Sequence, residues 1–213
     1  MAQELNTNVL PQFAPPVAPQ LSYEEFLREY DGQHAEWVDH KIIKPMPVTQ
    51  KHDDIIGFLR AVLRPFVEAN NLGTIHGGPY QMKMTLPDGV RGREPDIFFV
   101  GSANANRIGK TFFSGAADLA IEIISQESRL RDTEDKFDEY EQAGVREYWI
   151  IDPEQQTARF FVLNENGEYV NLSVESDGKF RSRVLPNLEL TVEWLWQEPL
   201  PGVIEVLKEW KLI

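Results

Sequence analysis

The segment from Asp118 to Ser128, DLAIEIISQES, decides the fold because it places an acid inside a buried strand. Apolar residues fill positions 119–121, 123 and 124, and polar residues bound this short run. Such a run predicts a strand that is buried on both faces. Glu122 interrupts it. A buried carboxylate costs several kcal/mol unless a partner stabilises its charge or its pKa rises until it is neutral. The segment therefore predicts a strand with a partnered acid.

The surrounding patterns place this strand in an α/β fold with a mixed sheet. Apolar residues recur at helical spacing over residues 53–68, which predicts a long amphipathic helix. Three predicted strands follow it, TIHGGPYQMKMTL, EPDIFFV and DLAIEII. A second helix is predicted over RDTEDKFDEYEQAGV, with Asp132 or Thr133 near its cap and Gly144 at its end. The buried strand EYWIID completes the order α-β-β-β-α-β.

Further elements are predicted on both sides of this core, which covers about residues 36–153. Ser22 and Glu25 form the capping-box pattern of a short helix over YEEFLREY, and HAEWVDHKIIKPMP predicts a hairpin. Beyond Pro153, alternating segments with Asn-Gly and Asp-Gly turns predict an antiparallel meander, followed by a short helix over residues 202–210. We therefore expect a flexible, proline-rich arm over residues 1–21 and one domain over residues 22–213.

Composition narrows the chemistry. The 213 residues include no cysteine, so a thiolate metal site is excluded and a bound metal would have oxygen or imidazole ligands, as Mg²⁺ or Mn²⁺ prefers. No apolar run approaches the roughly 18 residues of a membrane span, and the N-terminus lacks the pattern of a signal peptide. The sequence therefore predicts a cytoplasmic protein without a membrane partner.

The charge is strongly negative but uneven. A net charge of −13 argues against nonspecific nucleic-acid binding, which Lys and Arg dominate. Residues 83–131 carry 7 basic and 6 acidic side chains, whereas residues 132–213 carry 8 and 18. A polyanion would therefore have to approach the middle segment.

Two acids in neighbouring predicted strands suggest a metal site. Asp96 begins the strand of EPDIFFV, and Glu122 interrupts the next one. If these strands pair, both carboxylates point from one sheet face toward one spot, an arrangement that suits a divalent cation. The alternatives are a strand cap for Asp96 and a salt-bridged core acid for Glu122.

Lys136 is the predicted cationic partner of Glu122. Asp132, Lys136 and Tyr140 follow one another at intervals of four and share one face of the second predicted helix. Lys136 can then lie at the edge of the buried face. The alternative is an ordinary pair with Asp132 on a solvated helix.

These motifs together resemble the Uma2 family, also called DUF820, of the PD-(D/E)XK superfamily of restriction-endonuclease-like folds. The resemblance rests on an ordered series from about residue 36 to residue 153: EWVDHKI, His52, EPD, DLAIEIIS, RDTEDKFDEY and AGVREYWIIDP. The α-β-β-β-α-β order is also that of the superfamily core.

The resemblance implies a role for several residues. Asp96 and Glu122 would be the two carboxylate ligands of Mg²⁺ or Mn²⁺, and the backbone carbonyl of Ile123 a third ligand. Ile124 stands where the superfamily usually has lysine. In Uma2-like proteins this lysine is thought to have moved to the following helix, where Lys136 fills the position and could orient water or stabilise charge on phosphate.

Two further residues match family positions. Glu36 corresponds to an N-terminal acid of many superfamily nucleases, so it is expected to bind the metal through water or to orient the catalytic site. His52, at the start of the long helix, matches a recurrent position, and we consider it an accessory residue; a structural role is the alternative.

The leading hypothesis is a Mg²⁺- or Mn²⁺-dependent DNA endonuclease with Asp96, Glu122, Lys136 and Glu36 as its catalytic residues. The alternative, which the net charge favours, is a catalytically silent nuclease fold that serves as a binding or assembly module. A homodimer is a further expectation, in which the N-terminal arm and the late tryptophans Trp194, Trp196 and Trp210 form the interface. The alternative is that these tryptophans pack in the core.

The candidate phosphate contacts are Lys83, Arg91, Arg93, Arg107, Lys110, Arg129 and Arg131, for which a solvated surface position is the alternative.

Overall fold

Two β-sheets with helices packed against them form the main body of the structure. The computed structural model describes residues 21–30, 32–44 and 46–213. Its α-helices are α1 (Tyr23–Glu29), α2 (Gln50–Ala69), α3 (Lys136–Ala143) and α4 (Val203–Glu209). Its strands are β1 (Glu36–Val38), β2 (Lys41–Ile43), β3 (Gly73–His76), β4 (Gln81–Leu86), β5 (Gly89–Arg93), β6 (Ile97–Gly101), β7 (Phe112–Ser114), β8 (Leu119–Ile123), β9 (Glu147–Asp152), β10 (Thr157–Leu163), β11 (Tyr169–Leu172), β12 (Lys179–Arg181) and β13 (Glu189–Thr191).

The larger sheet contains the predicted core and has the strand order β11-β10-β9-β8-β6-β3. Its strands pair antiparallel except β8 and β9, which are parallel and are connected through α3. The order α2-β3-β6-β8-α3-β9 is the predicted α-β-β-β-α-β order. The predicted α/β class with a mixed sheet is confirmed.

The smaller sheet has the strand order β2-β1-β5-β4-β7, and it shows that one of the predicted strands is two separate strands. The segment TIHGGPYQMKMTL was predicted as one strand, but Gly77, Gly78 and Pro79 divide it into β3 of the larger sheet and β4 of the smaller one. Strands β5 and β7 were not predicted. Strand β5 reads GVRGR, and its glycines and arginines lack the apolar alternation that identifies a strand. The predicted hairpin is confirmed as β1 and β2.

The two faces of the larger sheet pack against different partners because side chains alternate along a strand. Residues such as Ile121 and Trp149 face α2 and belong to one apolar cluster with Leu59 and Phe66. Ala120 and Tyr148 belong to a second cluster, which includes α3 and the smaller sheet. Glu122 has the parity of Ala120 and therefore lies on the face that α3 covers.

The C-terminal region extends the larger sheet and closes its α2 side. Strands β10 and β11 continue it as the predicted meander, whereas β12 and β13 form a separate pair. Trp194 and Trp210 pack in the α2 cluster, in agreement with the core alternative for these tryptophans. No helix in the described ranges is long and apolar enough to cross a membrane.

The N-terminal prediction is tested only in part. The arm of residues 1–21 lies outside the described residues, apart from Leu21. The Ser22 capping box is confirmed, since the Ser22 hydroxyl accepts a hydrogen bond from the Glu25 backbone and the Glu25 carboxylate accepts one from Ser22 N.

Candidate active site

Glu122 is buried and has two direct side-chain partners. It is 2% exposed. Its Oε1 accepts hydrogen bonds from Lys136 Nζ at 2.8 Å and from the Tyr140 hydroxyl at 2.7 Å. Both donors lie on α3, one turn apart, which confirms that they share the face predicted for them. A cation and a hydroxyl therefore stabilise the acid that interrupts β8.

Asp96 lies beside Glu122 at the start of β6. The antiparallel register pairs Ile97 with Ile121, so continuing it by one residue places Asp96 opposite Glu122. The Asp96 carboxylate, 24% exposed, accepts a hydrogen bond from Ile123 N at 2.8 Å through Oδ2. Asp96 thus caps the end of the neighbouring strand β8, rather than only its own strand. Asp96, Glu122 and Ile123 line the same cavity.

Lys136 is surrounded by carboxylates. It is 3% exposed, and its Nζ lies 3.2 Å from Glu36 Oε1 and 3.3 Å from Asp132 Oδ1 in addition to its bond with Glu122. The alternative of a solvated helix pair is therefore wrong. The pair with Asp132 exists, but it is buried.

Asp132 is placed by a π-helical segment, Arg131–Asp135, that directly precedes α3. The prediction that Asp132 or Thr133 caps this helix is wrong, because the backbone is already helical at residue 129 and the hydroxyls of Ser125 and Ser128 organise the preceding turn. Asp132 instead points inward and is 2% exposed. Its Oδ1 has no hydrogen bond to any described residue. Single π-helical turns often occur at functional sites.

A second group of buried ion pairs, which Arg93 and Arg91 form with Glu139 and Glu36, adjoins Lys136. The sequence did not predict this group. Arg93 is 1% exposed and donates to both oxygens of Glu139, at 2.7 and 2.8 Å, and to Glu36 Oε2 at 2.9 Å. Arg91 also binds Glu139. Glu36 is thus fixed between Arg93 and Lys136. The spacing of Glu139 three residues after Lys136 was the available signal, because both then share a helix face.

These contacts correct two of the candidate phosphate contacts. Arg91 and Arg93 are buried in ion pairs and are neither solvated nor accessible to a ligand. Of the other candidates, Arg129 pairs with Asp152, and Lys83 lies near Glu24. Only Arg131 among the seven lines the cavity of the two acids.

Burial and charge set the protonation of the cluster. Burial raises the pKa of Glu122 to about 8, although the Lys136 ammonium opposes the rise. Burial would lower the pKa of Lys136, but the carboxylates of Glu122, Glu36 and Asp132 outweigh it and raise this pKa well above its ordinary value. Burial would raise the pKa of Glu36, but Lys136 and Arg93 lower it to about 2. Lys136 is therefore an ammonium donor at neutral pH and not a base.

His52 contacts the predicted metal ligands. It is 5% exposed at the first turn of α2, and its Nε2 lies 3.5 Å from Asp96 Oδ2. Burial would lower its pKa, but hydrogen bonding to Asp96 and to the main chain of Ile123 raises it. The structure therefore brings the accessory residue next to two predicted ligands.

All these groups open into one cavity of about 570 Å³. Glu36, His52 and Lys136 line it together with the two predicted carboxylate ligands. Glu94 and Arg60 are among the further lining residues that sequence reasoning missed. Burial raises the pKa of Glu94 to about 7. An Arg60 contact was not predicted because the charge distribution favours residues 83–131 as the segment that a polyanion approaches.

The donors suit a hard cation, although they are not arranged as a closed cage. Among the described residues, no group of three or more His, Asp or Glu side chains is positioned to hold a metal ion alone. Asp96, Glu122 and the Ile123 carbonyl supply only oxygen, as Mg²⁺ and Mn²⁺ prefer. The buried Asp132 Oδ1 has no hydrogen bond within the described residues but lies 3.3 Å from Lys136 Nζ, and it is an additional oxygen in this cavity. The residues present therefore fit a divalent cation.

The fold and this site define a restriction-endonuclease-like protein, and comparisons with known proteins agree. The chain matches the model of the Uma2 family, described as "Putative restriction endonuclease", over residues 22–193. The chain therefore belongs to the Uma2 family. Membership supports a nuclease-like function, and restriction-endonuclease-like proteins generally use divalent metals and act on nucleic acid.

A solved structure shares the fold. It is described as a putative nuclease belonging to DUF820 from Anabaena variabilis, with a TM-score of 0.63 and 23% sequence identity. The similarity covers 81% of this chain and 96% of that chain. A search of curated proteins finds no match.

Proposed function

We propose that this protein is a Mg²⁺- or Mn²⁺-dependent endonuclease that hydrolyses phosphodiester bonds in DNA. One observation carries the proposal: Glu122 and Lys136 are buried together at 2.8 Å on the wall of a cavity that Asp96 also lines. Buried ion pairs contribute little net stability, and this one, unlike that of Arg93 with Glu139, lies on the wall of a cavity.

The proposed metal ligands are Asp96, Glu122 and the Ile123 carbonyl. A Mg²⁺ or Mn²⁺ ion bound there supplies a water of lowered pKa and stabilises the charge that develops on phosphate. Asp96 Oδ2 is held by Ile123 N, and Glu122 Oε1 by Lys136 and Tyr140. These hydrogen bonds orient both carboxylates before a ligand arrives.

Lys136 has a separate role in the proposal. Its charge is maintained by three neighbouring carboxylates, so it can donate a hydrogen bond to an attacking water or to a phosphate oxygen. Arg93 binds Glu36 and thereby keeps Glu36 in its place beside Lys136. Glu36 is thus proposed to position Lys136 and not to ligate the metal.

Cleavage of DNA tests the proposal. Supercoiled and single-stranded DNA would be incubated with the natural protein, Asp96→Asn and Asp118→Asn, in Mn²⁺, in Mg²⁺ and in EDTA. Asp118 is the matched control, because it is a buried aspartate before β8 that does not line the cavity. We expect metal-dependent cleavage by the natural protein and by Asp118→Asn, and none by Asp96→Asn. Absence of cleavage by the natural protein, or equal cleavage by Asp96→Asn, would contradict it.

A further inference from the structure

Two arginines on α2, Arg60 and Arg64, have no acidic partner within the described residues. Neither is part of an ion pair, whereas Arg91, Arg93 and Lys136 in the interior all contact carboxylates. Arg60 is half-buried and lines the cavity of the predicted metal ligands, and Arg64 lies one helical turn further along the helix, in an exposed position. Arg107 and Arg159 also form no ion pair within the described residues, so the feature that distinguishes Arg60 is its half-buried position on the cavity wall.

The fold holds the Arg60 guanidinium at the edge of the site. Its Nη2 donates to the backbone carbonyl of Asp96 at 2.6 Å and lies 3.5 Å from that of Gly78. Gly77 leaves room for it, since a Cβ there would lie 2.2 Å from Nη2. Arg60 Nε is buried and has no hydrogen-bond partner among the described residues. The guanidinium is thus fixed next to Asp96 while part of its donor capacity is unused.

Electrostatics at this position calls for an anion. Like charges four residues apart on a helix repel each other. Among the described residues, the side chain of Arg64 has one hydrogen bond, of 3.4 Å, to the carbonyl of Ile75. A phosphate bound between or beside these arginines would relieve the repulsion.

We infer that Arg60 and Arg64 bind backbone phosphates of a DNA strand and guide it into the cavity. Arg60 is a positioning residue that holds a phosphate beside Asp96, and Arg64 binds the strand further out. The inference rests on the proposed function. It places the entering strand along α2, outside the segment 83–131 that the charge distribution suggested.

The salt dependence of DNA binding tests this inference. Fluorescence anisotropy of a fluorescein-labelled duplex would be measured over a range of salt concentrations, with Ca²⁺, for the natural protein, Arg60→Met, Arg60→Lys and Arg64→Met. Arg159→Met is the matched control, since Arg159 is an exposed arginine on β10 that forms no ion pair with a described residue and lies outside the cavity. A plot of the logarithm of the binding constant against the logarithm of the salt concentration has a negative slope. Loss of one phosphate contact should make this slope less steep by about 0.9.

We expect this change for Arg60→Met and for Arg64→Met. The relative affinities of these variants for DNA duplexes of unrelated sequence should stay the same. Arg60→Lys should recover most of the slope, and Arg159→Met should keep all of it. A role for Arg60 that is only structural would leave the slope unchanged. Because Arg64 is exposed, its variant should fold even if Arg60→Met does not.

The outcomes separate the two proposals. If the natural protein binds DNA and both methionine variants keep its slope, the inference is wrong while the proposed function stands. If the natural protein binds neither this duplex nor a single strand, both fail.

Discussion

Helices α2 and α3 cover opposite faces of the same sheet in different ways. The 20-residue α2 buries chiefly apolar side chains, among them Ile55, Leu59 and Phe66. The eight-residue α3 buries Lys136, Glu139 and Tyr140, which bind Glu122 and Arg93 across the sheet interface. Apolar burial stabilises a fold directly, whereas buried charges offset their desolvation only when every partner is present. The apolar α2 face therefore stabilises the core, whereas the buried charges lie on the α3 face. His52 and Arg60, which are also on α2, line the cavity.

The largest effect is expected when the α3 charge cluster loses its cation. Lys136→Met leaves Glu122, Glu36 and Asp132 without their shared ammonium. Breaking a buried pair in this way should lower the free energy of unfolding by about 3–5 kcal/mol. Urea denaturation at neutral pH measures it.

A second variant shows whether charge is the cause. Adding Glu122→Leu to Lys136→Met removes one stranded carboxylate and should recover part of the loss. A single Lys136→Met variant as stable as the natural protein would contradict the cluster as described.

A substitution on the apolar α2 face should lower the free energy of unfolding only through the loss of buried side-chain volume. Leu59→Ala removes a fully buried side chain and should cost about 3 kcal/mol. Because no titratable group contributes to this loss, it should be the same at pH 5 and pH 8, as denaturation at about these two values would show. A loss that changes strongly with pH would mean that the two faces are coupled.

Acid should destabilise the folded protein because it protonates Glu36, the carboxylate that contacts Lys136 on α3. Its pKa is about 2 in the folded protein and higher when unfolded, so the unfolded state binds more protons as the pH falls. The stabilisation is present above the ordinary glutamate pKa and is lost as the pH falls toward 2; it amounts to about 3 kcal/mol.

Denaturation at successive acidic pH values measures this loss, with Glu36→Gln for comparison. Glu36→Gln should be less stable at neutral pH and should show a flatter acid limb. An acid limb as steep as that of the natural protein would exclude Glu36 as its source.

The smallest effect is expected from two buried tyrosines. Tyr140 donates to the Glu122 carboxylate at 2.7 Å, and Tyr148 donates to the main-chain carbonyl of Asp132 at 2.8 Å. A hydrogen bond to a charged group is worth more than one to a neutral group. Above the Glu122 pKa of about 8, where this carboxylate is ionised, Tyr140→Phe should therefore cost about 2 kcal/mol and Tyr148→Phe about 1 kcal/mol, as measured by urea denaturation. Equal losses in that pH range would contradict an ionised Glu122.

The sequence predicted what depends on local pattern. The periodicity of α2, the apolar run of β8 and the acid within it are visible in the chain, and so is the spacing of Lys136 and Tyr140. It did not predict the partners of Arg93, because Glu36 and Glu139 lie 57 and 46 residues away. An arginine in GVRGR has the pattern of a solvated residue, and only the second sheet buries it.

The rest of the site depends on backbone geometry that pattern does not show. The π-helical segment turns Asp132 inward from a position that is typical of a helix cap. Gly77 gives Arg60 its place, but a glycine pair in the sequence predicts only a turn.

Binding of Mn²⁺ tests the central claim most directly, namely that Glu122 belongs to a metal site. Electron paramagnetic resonance would count the Mn²⁺ bound by the natural protein, by Glu122→Gln and by Glu147→Gln. Glu147 is a matched control, because it is a fully buried glutamate on the adjacent strand β9 that lies outside the cavity. We predict that the natural protein and Glu147→Gln bind Mn²⁺ and that Glu122→Gln does not. Mn²⁺ binding by Glu122→Gln equal to that of the natural protein, or none by the natural protein, would contradict the claim.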